Sequence, residues 1–539
     1  RYLLKSSVII MIQMFYACSV RKIMPENKNL FFQLTKNLQK NESLFISNYD
    51  GRTFSYQDMI NFSGSYAHTL KKLSIKKNDR VLVQTEKKIE CIWLYLACLR
   101  VGAIYVTINP DYTVSETEYF INDAKPKLIV TSDLKKNLKL KTLLKKFRGV
   151  IIKDLQKSGE NSLPLMATNE NYKFKTTFCY DDDIAAILYT SGTTGRSKGA
   201  MINHRNLFSN AKTLSMIWQM SPEDILLHIL PIYHTHGLFV AFNSIIFSEG
   251  SILFHENFAV KNVIESIPKV TMLMGVPTHY TRLISEKNFS AKITKKMRLF
   301  ISGSAPLSSE VHTTFKTITN FEILERYGMT ETNMITSNPY DGQRVPGTVG
   351  FPLPDVDVRI RDTRTKRIVK NNSVGSIEVK GPNVFSGYWQ MKARNKIDFT
   401  DDGFFITGDL GFFDSLGYLN ISGRDKDVII SGGLNVYPAE VERVLESLPE
   451  VNEAALIGVP HPDFGEGVTA IITPSEPDIA INEQELRNRI RLQLASFKVP
   501  LKIEVKECLP KNSMGKIQKN LLRAEFKNIY LRKLEVSKK

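Results

Sequence analysis

The stretch that most constrains this 539-residue chain is an apolar run, AAILYT (residues 185–190), that passes directly into SGTTGRSKGA (residues 191–200). A short apolar run closed by Ser and Gly reads as a buried strand ending in a loop. Gly192, Gly195 and Gly199 permit backbone shapes that turn several N–H groups into one concavity. Thr190, Ser191, Thr193 and Thr194 add hydroxyl groups, and Lys198 adds a compact ammonium. Together they form a cradle for phosphate oxygens. It is not the G-x-x-x-x-G-K-[ST] nucleotide loop, because Arg196 follows Gly195 and Gly199 follows Lys198.

The surroundings repeat the same texture. Short β-branched runs, RVLVQT (80–85), KLIVTS (127–132) and VIIKD (150–154), alternate with helical periodicity, which argues for α/β layers with parallel strands. After Pro352 the pattern becomes turn-rich β, as in VDVRIRD, GSIEVKG and LGYLNISGRD. From Glu440 a compact α+β segment follows, with helices at AEVERVLESL and EQELRNRIRLQLA around a strand at NEAALIGV. A chain this long exceeds what one core sustains. The expectation is a large N-terminal α/β domain with a β-rich part over residues 26–424, a junction at 425–427 and a small C-terminal domain over 428–539.

Composition narrows the function classes. The net charge is +17, from 72 Lys+Arg against 55 Asp+Glu, yet the lysines are scattered, as in KLKTLLKKF (139–147). Scattered cations describe solvated faces and argue against a nucleic-acid function. The five cysteines (18, 91, 98, 179, 508) form no CxxC pair and no disulfide framework, as expected in a reducing compartment. Residues 8–20 are apolar but too short to span a bilayer, and no later segment reads as a membrane span. Residues 1–25 carry Arg1, Lys5, Arg21 and Lys22 without an acid. That pattern reads as a mitochondrial presequence leading to the matrix, with a secretory signal as the rival reading and a cytoplasmic protein as the alternative location.

Beyond the opening loop, seven motifs follow in order: PIYHTHGL (231–238), GVPTHYTRL (275–283), SGSAPL (302–307), ERYGMTET (325–332), FITGDLG (405–411), ISGRDKDVIISGGLNVYPAEVE (421–442) and PKNSMGKI (510–517). With YTSGTTGRSKGA they resemble the adenylate-forming acyl-CoA synthetases, across nearly all of residues 45–525. The resemblance implies a large adenylate-forming domain and a small mobile one. It also implies an acyl-adenylate route with ATP, Mg²⁺ and coenzyme A and release of AMP and pyrophosphate.

The resemblance further implies individual roles. Tyr327 stacks on adenine, with Gly303, Ser304 and Ala305 as the adenine-side wall. Thr330 contacts the α-phosphate, Glu331 holds Mg²⁺, and Asp409 accepts from the ribose hydroxyls beside Arg424. Lys426 marks the hinge, and Gly432 and Gly433 leave room for pantetheine. Lys516 is delivered to the carboxylate and α-phosphate, and His234 joins it in the catalytic set.

The acid is suggested by Arg326. In the wider family a small residue usually precedes the adenine-stacking tyrosine. With the flanking motifs, this departure looks like malonyl-CoA synthetases, including the mitochondrial branch that handles malonate and methylmalonate. A second carboxylate entering a dry pocket needs a paired cation, and a guanidinium offers a bidentate match. Arg326 is the first candidate, supported by Arg282, His234, His236 and Ser337. The His234-x-His236 pair lacks the further ligands of a zinc site. The competing readings are a synthetase for short or medium monocarboxylates, a module that loads a carrier protein, and a non-catalytic binding descendant. The last is disfavoured because Lys198, Glu331 and Lys516 are all present.

Overall fold

The computed structural model describes residues 25–38, 42–131, 138–156, 159, 161–190, 197–432, 434–477, 479, 481–512 and 515–530. Four sheets organise it. The expected strand runs are present as Arg80–Gln84, Leu128–Thr131, Ile151–Asp154 and Ile184–Thr190. They join Ile104–Thr107 in a parallel block that Lys198–Asn203 closes on one edge in antiparallel sense. The apolar side chains of the central strands are mostly buried, as expected where helices cover both faces, while Ile151 and Ile152 on the edge strand are half-buried. One such helix, Ile89–Val101, is buried nearly throughout and carries Cys91 and Cys98. Burial pushes the Cys91 thiol up to about 11; a thiol so poorly ionised is an inert packing group.

Thr190 pairs with Lys198, so the glycine-rich segment connects two adjacent antiparallel strands. Its flanks therefore differ from the strand–loop–helix of a Walker loop. The next helix, His204–Ile217, starts only after the return strand and is capped by Asn203.

The second sheet has nine strands. Its parallel part comprises Leu44–Asn48, Ser251–Phe254, Ile225–His228, Met272–Gly275, Leu299–Ser302 and Leu324–Met329. Ser302 pairs with Glu325 where the strand Leu299–Ser302 ends, while its neighbour runs on to Met329. Arg326 and Tyr327 thus project beyond the carboxyl ends of the parallel strands, where open α/β sheets place ligands. After Ile225–His228 the chain forms a π-type helix, His236–Asn243, a rare form that recurs at functional sites.

The turn-rich region forms a four-stranded antiparallel sheet, Asp357–Arg361, Gly375–Lys380, Phe405–Phe413 and Leu419–Arg424. The C-terminal segment builds its own core from Ile429, Val441, Leu445, Leu456, Ala470 and Ile490, against the helices Pro438–Glu446 and Glu483–Arg491. Residues 425–427 form one 3₁₀ turn between these parts. Among the described residues no helix is long and apolar enough to cross a membrane.

One ion pair ties the nine-stranded sheet to the helix beside it. Asp224 is 2% exposed and accepts from Arg298 Nε and Nη2, each at 2.6 Å, and from Thr271 at 2.8 Å. Arg298 also donates to the Trp218 carbonyl at 3.0 Å. Removing one partner of a buried pair strands the other charge. Asp224→Ala is expected to destabilise the fold by about 3 kcal/mol and to lower the melting temperature by several degrees in a thermal denaturation scan; an unchanged midpoint would show the pair to be dispensable.

Candidate functional site

The motifs converge where the first three sheets meet. Asp409 and Arg424 are direct cross-strand partners, and that register alone sets their Nε–Oδ1 contact of 2.8 Å. The second Asp409 oxygen accepts from the Tyr327 hydroxyl at 2.5 Å. One buried carboxylate is therefore held from two sheets at once. Asp409 holds the Arg424 guanidinium above its ordinary pKa, so Arg424 is cationic at neutral pH. Such a carboxylate can accept from vicinal hydroxyls, and the Tyr327 ring beside it offers a flat face.

Glu331 lies in the turn after the strand Leu324–Met329 and is 4% exposed. Its Oε1 accepts from the Thr190 hydroxyl at 3.2 Å and from Tyr388 at 2.8 Å. No described cation lies within ion-pair distance of it. Lys198 stands close by at 3.9 Å from Asp398, with its ammonium 4.0 Å from the centre of the Tyr388 ring. Burial lowers the Lys198 pKa and Asp398 partly restores it. Among the described residues no group of three or more His, Cys, Asp or Glu could hold a metal. A lone buried carboxylate with a free oxygen fits a hard cation that takes its remaining ligands from phosphate and water. Ser191, Gly192, Thr193, Thr194 and Gly195 lie outside the described residues, as does Gly433.

A second cluster surrounds Arg326, which is 3% exposed. Its Nε and Nη2 have no hydrogen-bond partner, and no described acid lies within ion-pair distance. Gly303 makes room for it: a Cβ there would fall 2.4 Å from the guanidinium carbon. Burial pulls the Arg326 pKa down to about 9, which leaves it cationic at neutral pH. Nearby, Nε2 of both His234 and His236 and Oγ of Ser302 are buried and unpartnered. Burial pushes His234 down to about 4 and His236 well below its ordinary value, the latter helped by Arg326. Both imidazoles are therefore neutral, and each can donate one N–H. Ser304, next to Gly303, adopts a φ of 73° and brings its hydroxyl to 3.4 Å from His236 Nδ1. A non-glycine residue in this left-handed region is a strained feature that recurs at ligand sites.

The structure does not bring every expected acid-binding residue together. The Ser337 hydroxyl lies across the strand pair from Arg326 but donates to the Asn338 carbonyl at 2.8 Å and accepts from Trp218 at 3.0 Å. With its single proton spent, it has no donor for an acid. Arg282 is exposed in the last turn of the helix Pro277–Ile284, 5.9 Å from the Phe258 ring centre. Thr330 and Ala305 are half-buried at the ends of their motifs, and Lys426 is exposed.

Lys516 arrives from the C-terminal part. A tight turn holds it: its N–H donates to Asn512 Oδ1 at 2.9 Å, and Lys511 bridges Ile517. A Cβ on Gly515, whose φ is 74°, would lie 3.0 Å from Thr278 of the large domain. Lys516 keeps access to solvent, with Arg424, Asp409 and Asp427 close enough to act on its charge. Burial and Arg424 lower its pKa, while Asp409 and Asp427 oppose them. Gly432 has a φ of 57° beside the Phe464 ring, on a patch with exposed Ile430 and Leu434.

Tyr388, Asp398 and Ser302 were not anticipated. The sequence offers a weak signal for the first in FSGYW (385–389), where an aromatic pair follows a glycine.

Two family models match the chain: AMP-binding enzyme over residues 34–389 and AMP-binding enzyme C-terminal domain over 440–516. The malonate–CoA ligase of Arabidopsis thaliana is 32% identical over 527 residues, which is 92% of this chain and 84% of that protein. The mitochondrial malonate–CoA ligase ACSF3 of Xenopus laevis is 32% identical over 461 residues, covering 79% of each. Among solved structures, ATP-bound MatB from Rhodopseudomonas palustris is 47% identical with a TM-score of 0.91, over 94% of this chain and 100% of that one. The apo form of the same protein gives a TM-score of 0.81 over the same coverage.

Glu325, immediately before Arg326, is 6% exposed and accepts from the Gly347 N–H at 3.1 Å. Burial raises its pKa to about 8. A carboxyl raised in the folded state stabilises the fold below its unfolded value and loses that contribution as pH climbs through the folded one. The melting temperature is expected to fall between about pH 5 and pH 8 in part through Glu325. Glu325→Gln should flatten that slope in thermal melts at the two pH values, whereas an identical slope would remove Glu325 from the cause.

Proposed function

The chain belongs to the AMP-binding enzyme family, and we propose that it joins malonate to coenzyme A through an acyl-adenylate, as an ATP-dependent acid–thiol ligase. The observation that carries the choice of acid is Arg326, a buried cation without an acid of its own, set beside two neutral imidazoles with free donors. A pocket for a plain alkyl tail gains nothing from such a group and bears its desolvation. A substrate with a second carboxylate supplies the missing partner. The malonate–CoA ligases among the relatives support the same reading.

In this scheme the Tyr327 ring carries the adenine and Asp409 receives the ribose hydroxyls. Thr190 and Lys198, with the glycine-rich segment between them, take the phosphates, and Thr330 meets the α-phosphate. Glu331 would hold Mg²⁺, which supplies charge neutralisation on the phosphates when bound. A carboxylate oxygen of malonate attacks the α-phosphorus, an O–P bond forms, and the bond to pyrophosphate breaks. Two anions must approach for this, so Lys516 supplies its ammonium to both. The coenzyme A thiol then loses its proton, its sulfur bonds to the acyl carbon, and AMP leaves. Lys426 serves as the pivot between the two steps, and Gly432 with Gly433 borders the pantetheine path. The mitochondrial matrix is the proposed location, supported by the mitochondrial relative and by the basic, acid-free first 25 residues; a fluorescent fusion that fails to co-localise with mitochondria would reject it.

Two substitutions separate the roles. Lys516→Ala is expected to lower malonate-dependent pyrophosphate exchange by on the order of 10²–10³, while thioester formation from supplied malonyl-adenylate survives. Equal loss in both half-reactions would refute the division. Arg326→Met, which keeps length without charge, should reduce kcat/KM for malonate by on the order of 10²–10³ and leave or improve that for butyrate. A parallel decline with the two acids would instead favour the monocarboxylate synthetase.

A further inference from the structure

Glu331, in the turn that follows the strand Leu324–Met329, and Lys198, on a strand of the six-stranded sheet, both rest on Tyr388. The Tyr388 hydroxyl donates to Glu331 Oε1 at 2.8 Å, and the Lys198 ammonium lies 4.0 Å from the centre of its ring. The position of Tyr388 is fixed from several directions. On one side the Met201 N–H donates to the Gly387 carbonyl at 2.9 Å, and on the other the Trp389 N–H donates to the Gly199 carbonyl at 2.7 Å. The Asn395 side chain closes both remaining backbone groups of Tyr388, at 2.7 Å and 3.1 Å. The Phe385 N–H donates to the Glu331 carbonyl at 2.8 Å, which docks the same segment onto the turn that carries the carboxylate. Thr190 donates to the same Oε1 as Tyr388, and no described group donates to Oε2. Two donors on one oxygen fix the rotation of the carboxylate and leave the other oxygen open.

From this we infer that Tyr388 is a positioning residue. Its hydroxyl orients Glu331 toward the cation that accompanies the nucleotide, and its ring holds the Lys198 ammonium beside the phosphates. The inference rests on the reading of Glu331 as the Mg²⁺ carboxylate given above. Hydrogen bonds that orient a ligating carboxylate typically alter metal affinity by about 10–100-fold.

Tyr388→Phe removes the hydroxyl and keeps the ring. In calorimetric titrations of ATP binding at increasing Mg²⁺, this variant should require about 10–100 times more Mg²⁺ for half-maximal tightening. ATP binding without metal should be unchanged, because Lys198 keeps its support. Tyr388→Leu should weaken binding in both conditions, and circular dichroism confirms that each variant is folded. If Glu331→Gln raises the Mg²⁺ requirement but Tyr388→Phe does not, the positioning role is wrong. If Tyr388→Phe weakens metal-free binding as much as the Mg²⁺-dependent part, the effect is general damage, which also overturns it. If Glu331→Gln leaves the Mg²⁺ requirement untouched, the metal reading itself fails and takes the inference with it.

Discussion

A guanidinium enclosed by protein with two of its nitrogens unpartnered is costly, and the arrangement around Arg326 is built to tolerate that cost. Gly303 yields the space a side chain would occupy, and the neighbouring strand ends early enough for Arg326 to project past it. The surrounding histidines are kept neutral by burial, so they add donors without adding charge that would repel the arginine. A site with these properties is incomplete until an anion enters. Selectivity then follows from electrostatics: the interaction that relieves the buried cation is one only an acid with a second negative group can make.

The nucleotide side solves the opposite problem. There the ligand is anionic, and the protein must present positive charge without trapping it in permanent pairs. Lys198 is held loosely, by an acid at 3.9 Å and an aromatic ring, while Lys516 comes from the other domain on a short turn. Arg424 is tightly paired with Asp409, the group proposed to receive the sugar hydroxyls. In the proposed scheme, dividing the cations between two domains lets the attractive field be assembled for one step and withdrawn for the next.

Much of this was legible in the chain itself. The apolar runs at 80–85, 127–132, 150–154 and 185–190 became strands within a residue or two, because parallel strands buried on both faces have little freedom in composition. Arg326 stood out because the family that the motifs resemble usually carries a small residue at that position. What could not be read depended on register and distance. The resemblance already set Arg424 beside Asp409, but the antiparallel register that places the two directly opposite one another could not be read. Tyr388 is 57 positions from Glu331 and carries no spacing signal that would connect them. Ser337 looked like a free donor, and only the packed structure reveals that Trp218 and a backbone carbonyl already occupy its hydroxyl. Arg282 looked like a pocket residue on motif context, but the helix turns it outward.

The central claim is that an unpaired buried cation makes the second carboxylate of the substrate obligatory. Pyrophosphate exchange into ATP by the unmodified protein, run side by side with malonate and with butyrate at equal concentration, addresses it without any substitution. The account requires exchange with malonate and little or none with butyrate. Equal exchange with the two acids would contradict it.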